Sequence, residues 1–388
     1  MRIVVVTNEF PAISETFISN KVMHLIRRGH RLFVICNEKN KALFNALFGK
    51  EKRIEVIVLG KPKLFGYILT HPYEGLKTLI TKRRDVKKTL FTRFCLYAIN
   101  RCSPDIIHFE FSALGVFFLD AIPKLKGKKV VSCRGTAEKV KLMEYEDRKT
   151  KVAELFNLVD AIHCVSEDMR QTILPYCCGQ EKKIFINFPS IDIGLFKRKD
   201  SYQPHNPITI LSISRLTFQK GYLTGLLTVK KIKEAGIKFR WLIVGDGPQY
   251  EELAFHIHEM NLQEEVILAG IKSGNEIIEL YHQADIYFLP SVYEGIANAV
   301  LEAMSMELPV VCTKSGGMDE VIVHNEDGFL AVVYNEDKLA CLLLQLINNF
   351  QLRRKMGEAG RQKVVRHFNI NSQIDKFEDV YNQLIGMK

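Results

Sequence analysis

The residues best suited to chemistry lie in the second half of the chain. Arg215-Leu-Thr-Phe-Gln-Lys220-Gly221 sets two cations five residues apart in a loop that follows an apolar run, with Gly221 opening the next periodic segment. Arginine offers a planar fork, lysine a point charge, and a helix N-terminus adds its dipole, a combination that suits a diphosphate. A solvated basic loop has the same appearance when taken alone. Val244-Gly245-Asp-Gly247-Pro248 reads as a tight turn whose glycines let backbone approach a ligand, although it falls short of a full dinucleotide fingerprint. Pro290-Ser-Val-Tyr-Glu294-Gly295-Ile296-Ala297-Asn298-Ala-Val-Leu-Glu302 carries two carboxylates, with a helical pattern from Gly295 to Met306. Eight helical residues rise about 12 Å, too far for Glu294 and Glu302 to act as a paired acid and base. They suit two ends of one elongated ligand whose diphosphate lies at the helix N-terminus, and they equally suit a helix cap and a buried structural acid. Lys314-Ser-Gly316-Gly317-Met-Asp-Glu320 adds a further glycine-rich loop able to approach phosphate.

In this order and at this spacing the four loops resemble the donor site of GT-B fold, retaining glycosyltransferases of family GT4. The likeness continues through Asn325-Glu-Asp-Gly328-Phe and Met356-Gly-Glu-Ala-Gly-Arg361, and so spans the second half. It implies that Glu294 contacts the hydroxyls of the donor sugar and Glu302 the nucleotide ribose, and that Arg215 and Lys220 neutralise the departing diphosphate. Gly245, Gly247, Gly295, Ile296, Ala297, Asn298, Gly316 and Gly317 would line the rest of the nucleotide sugar. The resemblance further implies that neither a metal nor any other cofactor takes part, and no Asp-x-Asp motif occurs in the chain. Loss of a nucleoside diphosphate concentrates negative charge on phosphate oxygens, so fixed cations aimed there stabilise the transition state.

The first half is less explicit. Phe10-Pro-Ala-Ile-Ser14-Glu15-Thr16-Phe17 resembles the Ser-Glu-Thr-Phe segment of exopolysaccharide-type GT4 enzymes, while Ser14 as an N-cap with Glu15 in the first turn is the plainer reading. Pro104-Asp-Ile-Ile-His108-Phe-Glu110 and Val131-Ser-Cys-Arg134-Gly-Thr-Ala137 depart from the family, many of whose members carry His at the place of Glu110 and His-Gly-x-Asp at the place of Arg134 to Ala137. Arg134 suits a donor phosphate or an anionic acceptor. Ser166, after a further strand pattern, completes the acceptor-side candidates Ser14, Glu15, Thr16, His108, Glu110, Arg134 and Ser166.

Loops of this kind need strands to carry them. Short β-branched runs alternate with helical patterns throughout, the signature of β-α-β units and parallel sheets. Strands are expected near 3–7, 32–36, 54–58, 106–109, 130–133, 161–165 and 184–186, then near 208–214, 240–244, 266–269, 286–289, 310–312 and 329–332. The expected fold class is therefore α/β, with two doubly wound, Rossmann-like domains facing each other across a cleft, and the resemblance implies that they are of the GT-B kind. Residues 1–188 form the acceptor-side domain, 189–207 a linker, 208–368 the nucleotide-sugar domain, and 369–388 a helix packing back on the first domain.

With 388 residues and 47% hydrophobic side chains, the chain has enough apolar material for two cores. Its net charge of +10 divides into +14 over residues 1–190 and −4 over 191–388, so the first half is expected to meet something anionic. The eight Lys and Arg between Leu76 and Arg101 stand against Asp85 alone, which suits a basic amphipathic helix on an anionic membrane surface or a core helix with a solvated face. No nucleic-acid module is recognisable. The start lacks a signal-peptide pattern, no stretch is long enough to span a membrane, and nine cysteines without a C-x-x-C pair suit a reducing cytoplasm. The expected partners are a nucleotide sugar, a glycan or lipid-linked acceptor and an anionic membrane surface, in cell-surface polysaccharide biosynthesis. A sugar phosphorylase, a nucleotide-sugar epimerase and a silent nucleotide-sugar binder are the alternatives on the same scaffold.

Overall fold

A computed structural model describes residues 1–59 and 86–386. The chain divides into two compact units: Met1–Val165, Met169–Asn187 and Ile374–Lys388 form the first, and Ser166–Asp168 with Phe188–Gln373 the second.

Unit 1 is built on a parallel sheet of seven strands: β1 (Arg2–Val6), β3 (Arg31–Cys36), β5 (Ile54–Val58), β6 (Ile106–Phe109), β7 (Lys128–Cys133), β8 (Ala161–Cys164) and β9 (Ile184–Ile186), in the order β5-β3-β1-β6-β7-β8-β9. The two-residue strands β2 (Glu9–Phe10) and β4 (Glu38–Lys39) pair separately beside it. The central strands are near-continuous apolar runs because helices cover both faces: Ile3, Val4 and Val5 are fully buried. The strand order reverses between β1 and β6, and that reversal opens a crevice at the strands' carboxyl ends.

Unit 2 repeats the plan with six strands: β10 (Ile208–Ile213), β11 (Phe239–Val244), β12 (Val266–Leu268), β13 (Ile286–Leu289), β14 (Val310–Thr313) and β15 (Phe329–Ala331), ordered β12-β11-β10-β13-β14-β15. Its reversal lies between β10 and β13. A cluster around Trp241 and Phe288 fills one face of this sheet and one around Tyr287, Met304 and Leu301 the other. Trp241 is fully buried and its Nε1–H finds Ser212 Oγ at 2.8 Å, so no donor is stranded in the core.

The segment 189–207 is bound to unit 2. Ile191 and Phe196 are buried, Tyr202 donates to Asp285 at 2.7 Å, and Arg361 reaches the carbonyls of Phe196 and Ile193. Helix Ile370–Ile385 starts in unit 2 and ends in unit 1, where Phe377 packs on His163 and Tyr381 on His108. Of the basic stretch 76–101, residues 76–85 lie outside the described residues. Helix Val86–Asn100 turns Phe94, Cys95, Ala98 and Ile99 into the core of unit 1.

Candidate active site

The site of unit 2 is assembled at the carboxyl ends of β10, β11, β13 and β14. After β10, Phe218–Lys220 makes one 3₁₀ turn and Gly221, at φ +64°, starts helix Tyr222–Glu234. After β13 the chain does not enter a helix at Gly295, as the apolar pattern had predicted. Residues 290–297 form an extended loop, and the helix runs only Asn298–Ser305. Glu294 therefore lies outside the helix, and the helical rise does not measure its distance from Glu302.

Two loops lock together here, Val292 N–H donating to Gln219 C=O at 2.8 Å. The result surrounds one carboxylate. Lys220 Nζ is 2.5 Å from Glu294 Oε1, Ser291 Oγ donates to the same oxygen at 2.7 Å, and Gln219 Nε2 reaches Oε2 at 3.4 Å. The Glu294 and Lys220 side chains keep 6% and 12% of their surface exposed. Lys220 uses one of its three N–H donors on this pair, and two remain. Sequence reasoning named Lys220 and Glu294 separately but missed their pairing and missed Gln219 and Ser291, whose polar side chains inside two motif loops were the available signal.

Around this cluster, donors outnumber acceptors. Among the described residues the backbone N–H groups of Tyr293, Glu294, Gly295, Ile296 and Ala297 meet no protein acceptor, and the helix at Asn298 has no side-chain cap. Arg215 is exposed, and its guanidinium makes no ion pair or hydrogen bond among the described residues. Such a run of free donors with a nearby helix start is a receptor for anionic oxygen. Glu302, four residues into the helix, accepts from Tyr281 O–H at 2.9 Å, and burial raises its pKa to about 7.

The glycines are required by the packing of the loops. Gly245 (φ +141°) lies where a Cβ would come within 1.9 Å of Ser214 C=O, and Gly316 (φ +60°) where it would come within 1.9 Å of Glu294 C=O. They let neighbouring loops close on one another, which fixes the Glu294 loop in place. Gly317 N–H completes this by donating to Gly295 C=O at 2.9 Å.

In unit 1 the candidates separate by exposure. Ser14 and Thr16 are exposed, Glu15 and Arg134 partly so, and His108 and Glu110 are buried; Ser166, also buried, belongs to unit 2. Ser14 is not a helix cap: Ile13–Glu15 forms a 3₁₀ turn and helix Thr16–Arg27 follows with no side-chain cap bond. As acceptor contacts His108 and Glu110 are corrected by their surroundings. His108 lies between Tyr381 O–H (2.6 Å) and Ser132 Oγ (2.8 Å), and Ser132 Oγ in turn meets His163 Nδ1 at 2.8 Å. Glu110 bonds Lys21 and Arg134. A ring or carboxylate with no open surface and all its partners internal holds the unit together. Burial, with the charge of Lys21, keeps His108 well below the usual histidine pKa and therefore neutral.

Two Rossmann-like parallel sheets are the architecture of GT-B glycosyltransferases. Two family models match in succession, Glycosyltransferase Family 4 over residues 14–194 and Glycosyl transferases group 1 over residues 195–363, and the chain belongs to that family of glycosyltransferases. Among its relatives, the amylovoran biosynthesis glycosyltransferase AmsK of Erwinia amylovora is 27% identical over 99% of this chain and 100% of its own length. The UDP-Gal:alpha-D-GlcNAc-diphosphoundecaprenol alpha-1,3-galactosyltransferase of Escherichia coli is 27% identical over 63% of this chain and 59% of its own. In fold, the chain is similar to Anabaena Alr3699/HepE, solved in complex with UDP-glucose, with a TM-score of 0.76 at 16% identity over 98% of this chain and 99% of the other. No helix among the described residues is long and apolar enough to cross a membrane.

Proposed function

We propose that the protein transfers a hexosyl group from a nucleoside-diphosphate sugar, with retention of anomeric configuration, to a glycan or lipid-linked acceptor in cell-surface polysaccharide biosynthesis. Unit 2 holds the donor and unit 1 the acceptor. The observation that carries this reading is the Glu294 cluster: a carboxylate fixed by Lys220, Ser291 and Gln219 beside five unengaged backbone N–H groups. The carboxylate accepts from sugar hydroxyls, and Lys220, Arg215 and the free N–H groups stabilise charge on the leaving diphosphate. Glu302 takes the ribose hydroxyls. These groups supply the positive potential that a metal would otherwise bring, so the transfer proceeds without one. The relatives named for amylovoran biosynthesis and for galactosyl transfer to a GlcNAc-diphosphoundecaprenol support an acceptor of that class. The +14 charge of residues 1–190 supports work at the cytoplasmic face of an anionic membrane.

A calorimetric screen of UDP-, GDP- and ADP-sugars, repeated with Lys220→Ala, tests the donor assignment. One nucleotide class binds and the variant weakens it. Absence of any binding, or unchanged binding by the variant, overturns the assignment. Transfer that survives EDTA and yields a product with the donor's anomeric configuration by NMR checks the remaining two statements.

A further inference from the structure

Glu110, sealed in unit 1, binds two cations. Lys21 Nζ lies 2.5 Å from Oε1, Arg134 Nη2 lies 2.7 Å from Oε2, and Arg134 Nε donates to the Glu110 carbonyl at 3.0 Å. The side chains of Lys21, Glu110 and Arg134 are 2%, 0% and 13% exposed. The other polar groups packed on them are neutral: His108, Ser132, His163 and Tyr381. Two cations against one anion leave a positive surplus in a region that water barely enters. Burial, only partly offset by Glu110, brings the pKa of Lys21 down to about 8.

Neighbouring carboxylates do not cancel the surplus. Glu138 Oε2 accepts from the backbone N–H groups of Arg134 (3.3 Å) and Gly135 (3.2 Å), Oε1 accepts from Ser112, and Arg148 faces it electrostatically. That pair adds as much positive charge as negative. Nε and Nη2 of Arg148 are moreover shielded from solvent without an acceptor. The carboxyl ends of β6 and β7 thus hold more donors than acceptors, which is costly unless something anionic completes them.

Arg134 is the accessible member. Its inner edge is spent on Glu110 and its guanidinium lies 4.4 Å from the centre of the Phe17 ring, while Nη1 has no partner among the described residues. A fork already fixed by an ion pair and a ring loses little freedom on binding. Phe17 also brings its own segment alongside, with Ser14 and Thr16 exposed.

We infer that Arg134 is an anion receptor that takes a phosphate oxyanion of the acceptor, with Glu110 and Lys21 as positioning residues. The identity of the ligand as acceptor rests on the function proposed above, whereas the anion site itself does not.

The experiment is a calorimetric titration of inorganic pyrophosphate into the full chain in two backgrounds: protein saturated with UDP, and an Arg215→Ala/Lys220→Ala variant that lacks the cations of unit 2. One equivalent binds in both, and Arg134→Leu weakens it about tenfold or more, the effect of one charged hydrogen-bonding group. Glu110→Gln also weakens it, although that change makes the corner more positive, because Arg134 is released; a merely electrostatic role predicts the opposite. Glucuronate, an anion without phosphate, binds at least tenfold more weakly. Loss of the site in both backgrounds, unchanged binding by a folded Arg134→Leu protein, or equal affinity for glucuronate overturns the inference. Should Arg134→Leu fail to fold, Arg134→Lys, which keeps the charge and loses the fork, gives the same readout. Pyrophosphate binding that persists where UDP does not bind leaves the site standing and removes the donor reading alone.

Discussion

Each sheet carries a lysine–glutamate pair at the carboxyl ends of its two central strands, and the two pairs are used in opposite ways. In unit 1 Lys21 comes from the helix after β1 and Glu110 directly follows β6. In unit 2 Lys220 follows β10 and Glu294 follows β13. Both pairs are 2.5 Å long, and both flank the reversal of strand order. In unit 1 a second cation, Arg134, closes on the same carboxylate and helix Ile370–Ile385 covers the remainder, leaving one guanidinium nitrogen to the outside. In unit 2 the second cation, Arg215, stays unengaged, the other partners of the carboxylate are neutral, and a run of backbone donors is left open. In the first case the protein consumes all but one edge of the cluster's donors, and in the second it leaves a whole run of them open. The difference lies in how many donors the protein itself consumes.

The sharpest way to break this comparison is to remove the two glutamates. Glu110→Ala strands Lys21 and is expected to destabilise the protein by about 3–5 kcal/mol in urea unfolding, whereas the double change Lys21→Met/Glu110→Leu recovers most of that loss. An effect below about 1 kcal/mol for Glu110→Ala would show the cluster to be as tolerant as a surface pair. In unit 2 the larger burden falls on rate: Lys220→Ala is expected to raise the transfer barrier by about 3 kcal/mol, a hundredfold or more in kcat.

A smaller effect concerns pH. Glu302 has its pKa raised from 4.5 to about 7 by burial, so it is protonated in the folded protein at pH values where the unfolded chain is already ionised. Stability from this group is fully present below about pH 4.5 and is lost as pH rises to about 7. The ribose contact proposed for Glu302 would run the other way, because only the ionised carboxylate is a pure acceptor. UDP affinity is therefore expected to rise severalfold from pH 6 to pH 8, and Glu302→Gln should flatten both the affinity and the stability profiles. The smallest expected effect is that of Ser291→Ala, which removes one hydrogen bond to Glu294 and should lower kcat several-fold, about 1 kcal/mol.

Much of this scaffold was legible in the sequence because parallel strands buried on both faces are written as short apolar runs. All thirteen longer strands fall within two residues of their expected ends. The loops of unit 2 were legible because each keeps its polar and glycine residues close together in sequence. Where a pattern misled, the cause was local: Ile296, Ala297, Val300 and Leu301 have helical spacing, but the loop before Asn298 is held extended by contacts with Gln219 and Gly317 that lie far along the chain. The cluster of unit 1 was invisible for the same reason, since Lys21 and Glu110 are 89 residues apart. One signal was nevertheless present. Lys21 interrupts the apolar stripe formed by Ile18, Val22 and Leu25 on its helix, and a cation there must find an anion inside.

The helix that ends in unit 1 has a consequence for how the protein is made. Tyr381 bonds His108 across 273 positions of sequence, and Phe377 covers both His163 and Lys21. While the ribosome is still translating unit 2, the nascent first sheet lacks this lid, and its histidines and buried lysine stay open to water. Unit 1 therefore matures last although it is synthesised first, and a fragment cut at Asn187 should remain aggregation-prone until a peptide carrying residues 374–386 is supplied in trans.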